Sequence, residues 1–342
     1  MTLTVNIPGW NIFLLLLFLS ILYEACSDQI NYSDCGKLRT NARILNGKDV
    51  KREEQPWMVS VVSMFVLTSN LTDNVYCGGT LITSRFVLTA ARCVTRNSYH
   101  GSKVYVYHES VYLEQKPYIK ARDVVVHPNY EWKKRKHNIA LLRLEKRINK
   151  GPMSHPVCLM DKKITLLNKD VIVVGFGPSH GQKKLRSVED KILPFTNCSK
   201  AIKPLQEDAI AFSNNTVICT AGKGKGACLA DGGGPVLIIE KGRATQIGVI
   251  SYSLSCNMSI SSPSAHVRVD YYFEWIKEVL SYFSKYHRLG KGKQPKKNDT
   301  AQSQPNPPPG KPNKPQKLPT PPHNGDIGHL PNFKDPEPPN TE

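Results

Sequence analysis

The chain has 342 residues and a formal net charge of +18 at neutral pH, from 46 Lys and Arg against 28 Asp and Glu. A balance this basic favours polyanionic partners, whose binding weakens as salt is added. Residues 44–286 are numerous enough to bury a substantial core as one unit, and the lack of internal repeats in the sequence excludes a repeat architecture.

An apolar run near the N-terminus predicts a signal peptide. Ile12–Leu22 is apolar except for one serine and is too short to span a bilayer, and small residues follow at 25–27. We therefore predict a signal peptide over residues 1–27, with an uncleaved signal anchor as the alternative. This predicts a secreted, extracellular protein with no membrane span in its mature chain, for which nucleic acid is not an expected partner.

Nine cysteines in an extracellular chain predict disulfides. Cleavage of the signal peptide would remove Cys26 and leave eight, an even set. Sequons for N-glycosylation also suit the secretory route. The predicted sites are Asn31, Asn70, Asn214, Asn257 and Asn298. A further sequon at Asn197 has Cys198 in its middle, so we rank it below the others as a glycosylation site.

Short runs rich in β-branched and aromatic residues, separated by Gly, Pro and Asn, indicate many β-strands. In chain order these runs are Trp57–Val62, Thr80–Leu88, Lys103–Tyr107, Val124–His127, Ile139–Leu144, Val171–Val174 and Gln246–Ser251. One helix is predicted after Asp270, its candidate N-cap, because apolar residues recur at helical spacing from Tyr272 to Phe283. The pattern alone indicates a β-barrel or β-sandwich followed by a terminal helix.

The composition changes at the end of this region. Residues 287–342 are dense in Pro, Lys, Asn and Gly, with few aromatic residues, and include the run PNPPPGKPNKP. Such a segment buries too little apolar surface to offset the entropy of ordering it, so we predict a disordered tail, partly extended as polyproline II. The tail has no apolar stretch that would mark a lipid anchor.

Three motifs point to a function. They are LTAARC at residues 88–93, HNIALLRL at 137–144 and ACLADGGGP at 227–235. They resemble the active-site motifs of the trypsin/chymotrypsin family of serine proteases, which are roughly LTAAHC, DIALLRL and CxGDSGGP. The resemblance extends from about Arg43 to about Tyr282. Arg92, Asn138 and Gly232 stand where that family has its catalytic His, Asp and Ser.

The resemblance implies an all-β fold: two six-stranded antiparallel Greek-key barrels with a cleft between them and a C-terminal helix. Between the signal peptide (1–27) and the disordered tail (287–342), it implies a propeptide-like segment (28–43) and a protease-like domain (44–286). It also implies four disulfides, which use all eight cysteines of the mature chain and contribute about 2–4 kcal/mol each. The implied pairs are Cys35–Cys158, Cys77–Cys93, Cys198–Cys219 and Cys228–Cys256.

The substituted motifs predict the loss of protease activity. Gly232 has no hydroxyl that could attack a carbonyl. Arg92 is protonated at neutral pH and cannot act as a base. Asn138 has no histidine to orient. In serine proteases the loss of the whole triad lowers turnover about a million-fold.

The resemblance also implies a damaged substrate pocket. Ala230 replaces a glycine of the oxyanion hole, where a Cβ restricts the backbone. Gly226 stands where trypsin-like specificity needs an Asp. Ser253 and Ser264 replace glycines of the pocket wall, so we expect the pocket to be narrowed or filled.

The activation junction of the family is retained in part. RILNG at residues 43–47 resembles it, and cleavage would fall between Arg43 and Ile44. Asp231 is kept where the new amino terminus would form its buried ion pair. Two interpretations stay open: cleavage after Arg43 acts as a conformational switch, or the junction is an unused relic.

A basic block and two histidines need separate interpretation. The block predicts polyanion binding, with a solvated loop as the alternative. Its residues are Lys133, Lys134, Arg135 and Lys136. His137 follows on the same loop and is expected to be exposed. His127 lies in VVVHPNY, a structural motif of the family, and is not expected to act as a base.

The sequence therefore predicts a secreted, inactive serine protease homologue that binds an extracellular protein or a sulfated glycan. Two alternatives stay open: a basic heparin-binding or antimicrobial protein, and an active serine endopeptidase with unusual residues. We expect no cofactor, and neither a Cys/His set nor an acidic cluster predicts a metal site. By composition alone, the Pro-rich tail resembles that of acrosin-like sperm proteases.

Overall fold

The structure is a computed structural model of the chain. It describes residues 28–38, 50–68, 71–96, 99–101, 103–177, 184–202, 213–221, 231–253 and 263–289. Several predicted features lie outside the described residues: the signal peptide, the Arg43–Ile44 junction, the tail beyond residue 289, Ala230, Gly226, the Cys228–Cys256 pair, and the sequons at Asn70, Asn257 and Asn298.

Strands dominate the described part of the chain. They are β1 (Met58–Thr68), β2 (Leu71–Leu81), β3 (Phe86–Thr89), β4 (Thr95–Arg96), β5 (Tyr99–His100), β6 (Lys103–Tyr107), β7 (Tyr118–Val126), β8 (Ala140–Leu144), β9 (Cys158–Leu159), β10 (Asp170–Gly175), β11 (Arg186–Leu193), β12 (Val217–Ala221), β13 (Pro235–Glu240), β14 (Arg243–Ser253) and β15 (Ser264–Arg268). The α-helices are α1 (Phe195–Ile202) and α2 (Phe273–Leu289), and 3-10 helices span Arg52–Glu54, Ala91–Cys93 and Val269–Tyr272.

The first barrel closes in the strand order β1-β2-β3-β8-β7-β6. Its longest pair is β1 with β2, which runs antiparallel from Met58 opposite Thr80 to Thr68 opposite Leu71. Branched side chains from several strands fill the interior. The β-branched ones are restricted at χ1 and pack well on the pleated surface of a sheet. The buried residues include Val61, Val87, Val106, Leu141 and Leu142.

The second barrel has the order β13-β10-β11-β12-β15-β14 and is closed by the antiparallel pairing of β13 with β14. The short strand β9 adds to β14 in parallel. Its core is a cluster of aliphatic residues that includes Val171, Val173, Ile192, Val236 and Ile247. Two six-stranded antiparallel barrels with a terminal helix confirm the predicted fold class.

Two local predictions were wrong. The run Thr80–Leu88 is not one strand, because Thr83 Oγ1 accepts the N–H groups of Arg85 and Phe86 in a turn between β2 and β3. Asp270 does not cap α2, which begins at Phe273. Asp270 lies within the preceding 3-10 helix, where its carboxylate binds the Arg268 guanidinium at 2.7 Å.

Helix α2 carries an apolar stripe, as its sequence predicts. Trp275, Ile276, Val279 and Leu280 are buried. The chain divides into two compact units, of which the first ends at Ser281 and the second begins at Tyr282. No helix among the described residues has the length and apolar character needed to cross a membrane.

Residues 28–38 are bound to the second barrel. A disulfide joins Cys35 to Cys158. The Asn31 side chain accepts the Leu159 N–H at 2.7 Å and donates to the Leu159 carbonyl at 2.9 Å. The disulfides Cys77–Cys93 and Cys198–Cys219 are also present, so three of the four implied pairs are found in the described residues.

Candidate functional site

The three substituted motif positions come together between the barrels. Arg92 lies in the 3-10 helix that follows β3, and Asn138 lies just before β8. Strands β3 and β8 pair with Thr89 opposite Ala140, so the residues beyond these ends meet. Gly232 comes from the second barrel, just before β13.

Main-chain hydrogen bonds fix the shape of the loop around Gly232. The Gly78 N–H donates to the Gly232 carbonyl at 2.8 Å, which ties the first barrel to this loop. The N–H of Gly233 donates to the Ile250 carbonyl at 2.8 Å. Gly233 has a φ of +84°, and a Cβ there would collide with the Gly78 carbonyl, so this position requires glycine. None of these bonds involves a side chain at position 232, so this set of bonds does not require a serine there.

The Arg92 guanidinium covers Gly232. A Cβ built on Gly232 would lie 2.6 Å from Arg92 Cζ, so a serine side chain and this guanidinium cannot occupy the space together. Arg92 Nε is buried and makes no hydrogen bond with any described residue. Burial lowers the pKa of Arg92 to about 10, with the positive charge of Arg135 as the second cause. The side chain is therefore still protonated at neutral pH.

Asn138 is fully buried beside Arg92 and binds the backbone on one side and a hydroxyl on the other. Its Oδ1 accepts the main-chain N–H of Arg92 at 2.9 Å, and its Nδ2 donates to Ser251 Oγ at 2.8 Å. The amide satisfies both contacts without bringing a negative charge. As a result, Arg92 has no ionised partner at this position.

The wall of the expected pocket is lined by two hydroxyls. Ser253 on β14 lies opposite Ser264 on β15, and their Oγ atoms are 3.3 Å apart. Ser264 is almost completely buried. The two side chains thus occupy volume between the strands that a pair of glycines would leave open.

The basic block forms a tight hairpin rather than one continuous patch. The Glu131 N–H donates to the Lys136 carbonyl at 3.1 Å, and Lys134 Nζ pairs with the Glu131 carboxylate at 2.9 Å. Lys133 and Lys134 are exposed. Arg135 is half-buried, and its guanidinium lies over the Tyr252 ring at 5.4 Å from the ring centre.

Comparison with known proteins decides the family. The sequence profile described as Trypsin matches residues 44–276. The chain belongs to the trypsin family. It is 30% identical over 267 residues to "Phenoloxidase-activating factor 3" of Holotrichia diomphalia, covering 72% of this chain and 74% of that protein.

Further relatives of this trypsin-family chain include "Venom peptide isomerase heavy chain" of Agelenopsis aperta, 27% identical over 250 residues, with 69% of this chain and all of that protein covered. "Venom serine protease" of Polistes dominula is 27% identical over 278 residues, with 77% and 94% covered. Two solved structures share the fold: "HL collagenase" (TM-score 0.60, 22% identical, 70% and 99% covered) and "GrC" (TM-score 0.57, 23% identical, 69% and 98% covered).

The prediction that His137 is exposed was wrong. His137 is buried, its Nδ1 lies 2.9 Å from the Tyr272 hydroxyl, and its ring stacks on that of His127 at 5.0 Å. Trp275 packs against His127 from α2. The neighbouring lysines favoured an exposed His137. The contacts within this aromatic cluster offset the loss of hydration that burial of His137 costs, and they anchor the residue that precedes Asn138.

The Asp231 side chain lies against the end of β10 in the second barrel. Its Oδ1 accepts the Gly177 N–H at 2.6 Å, and the side chain is 8% exposed. A Cβ on Gly175 would collide with this carboxylate, so the space around it is closely filled. The structure therefore describes Asp231 bound to main chain, while its expected partner Ile44 lies outside the described residues.

Sequence reasoning missed one polar cluster in this trypsin-family chain. Thr220 Oγ1 lies 2.9 Å from both Asp190 and His266, and all three side chains are buried in the second barrel. They come from β11, β12 and β15 and are separated by at least 30 positions, so no local motif marks them. Among the described residues no group of three His, Cys, Asp or Glu side chains could hold a metal ion.

Proposed function

We propose that this chain is a secreted, catalytically inactive member of the trypsin family that acts by binding an extracellular protein or an anionic glycan. One observation carries the proposal: the Arg92 guanidinium covers Gly232. A substrate carbonyl at this point would meet a protonated cation and no hydroxyl. The neutral Asn138 adds neither a base nor a counter-charge.

Secretion is supported by two observations. The chain forms at least three disulfides, which persist in oxidising compartments. Two similar proteins are named for venoms, which are secreted fluids. Both observations suit the signal peptide that the N-terminal sequence predicts.

The enzymatic alternative is tested by covalent labelling. The purified protein, before and after cleavage at Arg43, is treated with a fluorophosphonate probe, with an active trypsin-family protease as positive control. We expect no label on this chain and no turnover of a broad peptide library. A label mapped to a residue of the cleft would overturn the proposal.

A heparin-binding protein is the second candidate, and it is favoured by the exposed Lys133 and Lys134 on the hairpin. It predicts that Lys133→Ala/Lys134→Ala elutes from heparin at clearly lower salt than the wild type, because released counterions make such binding salt-dependent. The exposed pair Lys162 and Lys163 provides a control of equal charge. Equal shifts for both double variants would show that heparin senses only net charge.

A further inference from the structure

Arg92 and Arg135 are placed on one wall of the cleft by a continuous set of contacts. The main-chain N–H of Arg92 donates to Asn138 Oδ1, and Asn138 Nδ2 donates to Ser251 Oγ. Tyr252 follows Ser251 in β14, and the Arg135 guanidinium lies over its ring. The Arg92 main chain, through Asn138, and the Arg135 guanidinium are therefore linked to the same short stretch of β14, while the Arg92 guanidinium lies over Gly232.

The charge of this pair is only partly compensated by the described part of the protein, because Asp231 acts on Arg92 without an ion-pair contact. Neither Arg92 nor Arg135 forms an ion pair with any described residue, and Arg92 Nε makes no hydrogen bond there. Asp231 is engaged by the Gly177 N–H. The repulsion between the two arginines contributes to the lowered pKa of Arg92. A bound anion would supply the missing counter-charge.

The edge of β14 and the Tyr252 ring beside the two arginines favour a peptide ligand over a glycan. β13 pairs with β14 only as far as Pro235 opposite Val249, and Gly233 and Gly234 then bond to Ile250, so Tyr252 lies beyond both sets of bonds. An extended peptide can add to an open strand edge through main-chain hydrogen bonds, and its side chains then alternate toward the walls. The half-buried Tyr252 ring offers an apolar surface beside the two charges.

We propose that Arg92 and Arg135 form a carboxylate-binding site in the cleft, which selects an Asp or Glu side chain of an extended segment of a partner protein. Guanidinium groups bind carboxylates with charge-assisted hydrogen bonds. The site uses the space above Gly232 that a serine side chain would otherwise fill. The inference rests on the proposed function, since it assumes a partner that is bound and not cleaved.

The test is a library of acetylated hexapeptide amides on the full-length protein, read as enrichment of each residue at each position. We expect Asp and Glu to be enriched at one position. For a selected peptide, Arg92→Gln and Arg135→Gln are each expected to weaken binding about ten- to a hundred-fold, the size of a lost hydrogen bond to a charged group. Lys162→Gln, an exposed charge elsewhere, should leave the affinity unchanged.

Two further variants distinguish loss of the carboxylate-binding site from a change in net charge and from misfolding. Gly232→Ala keeps both arginines but forces the Arg92 guanidinium to move, so weaker binding is expected from it as well. Arg92→Lys keeps the charge and guards against a variant that fails to fold, which gel filtration and thermal melting would reveal. Folded Gln variants that bind as tightly as the wild type would overturn the site.

The remaining outcomes are also decisive. No acidic preference, or binding of a heparin hexasaccharide that depends on Arg92 and Arg135 while peptides do not bind, would overturn the proposal. If the protein takes no fluorophosphonate label and binds no acidic peptide, the carboxylate-binding site is overturned and the proposed function still stands. A labelled cleft residue would instead remove the proposed function itself.

Discussion

Asp190 and His266 are joined through one hydroxyl in the interior of the second barrel. Thr220 Oγ1 is 2.9 Å from Asp190 Oδ2 and 2.9 Å from His266 Nε2. Because the hydroxyl has a single proton, it donates to the carboxylate and accepts from an imidazole N–H. Burial raises the pKa of Asp190 to about 6 and lowers the pKa of His266 to about 3. The two groups thus have opposite effects on stability as pH changes.

The first prediction concerns Asp190→Asn. The raised pKa of Asp190 contributes stability that is present below about pH 4 and is lost as pH rises to about 6, a change of about 3 kcal/mol. His266 acts in the other direction, since the unfolded chain takes up its proton below about pH 6.5. We therefore expect Asp190→Asn to be more stable than the wild type at pH 7 and to lose that advantage by pH 4.

Urea unfolding at pH 4, 5, 6 and 7 measures this effect. The control is Asp170→Asn, an exposed carboxylate on the adjacent strand β10. Parallel curves of unfolding free energy against pH for Asp190→Asn and the wild type would show that Asp190 does not titrate as its burial requires.

The second prediction separates lost chemistry from a lost pocket. The triple variant Arg92→His/Asn138→Asp/Gly232→Ser restores the residue types of the triad and removes the guanidinium from the space above position 232. We expect it to be a poor protease nonetheless, because the Ser253 and Ser264 hydroxyls still occupy the pocket wall.

The measurement is kcat/KM against trypsin substrates and a broad peptide library. The substitutions Ala230→Gly, Gly226→Asp, Ser253→Gly and Ser264→Gly, added to the triple variant, are expected to raise it. Trypsin-like turnover by the triple variant alone would show that the pocket is intact.

The sequence predicted the strands and the positions of the site residues, but not the contacts between their side chains. Short β-branched runs indicated the strands, and the motif spacing located Arg92, Asn138 and Gly232. It did not predict that the Arg92 guanidinium lies over Gly232, because the contact joins segments 140 positions apart in different barrels. His137 was misjudged for the same reason: four basic neighbours favour exposure, whereas Tyr272, 135 positions later, buries it.

The third prediction distinguishes two sequons. Asn214 is exposed, whereas both polar atoms of the Asn31 amide are hydrogen-bonded to Leu159. A glycan on Asn31 Nδ2 would need the space next to the Leu159 carbonyl. We expect Asn214 to carry a glycan and Asn31 to be unmodified.

Enzymatic deglycosylation in ¹⁸O water followed by peptide mass spectrometry reads both positions. Asn214→Gln serves as the control that removes one site without touching the other. A glycopeptide that contains Asn31, isolated from the folded secreted protein, would contradict the prediction.

The fourth prediction concerns how residues 28–38 are held after the chain is cut. The Arg243 guanidinium donates to the Cys35 carbonyl at 2.7 Å and to the Ser33 carbonyl at 2.9 Å, beside the Cys35–Cys158 disulfide. Hydrogen bonds to a charged group contribute about 1.5–3 kcal/mol each. We therefore expect Arg243→Gln to lower the free energy of unfolding by about 1–3 kcal/mol, after a discount for the partial exposure of the side chain.

Lys241→Gln is the matched control, because Lys241 is exposed two positions earlier on the same turn. Trypsin digestion with N-terminal sequencing first shows whether a selective cut at Arg43 occurs. If it does, the segment that contains Cys35 is expected to separate only after reduction of the Cys35–Cys158 disulfide. Arg243→Gln with the reduced disulfide is then expected to release the segment faster than the reduced wild type, since two of the hydrogen bonds that outlast reduction are gone. Equal release rates would show that Arg243 does not hold the segment.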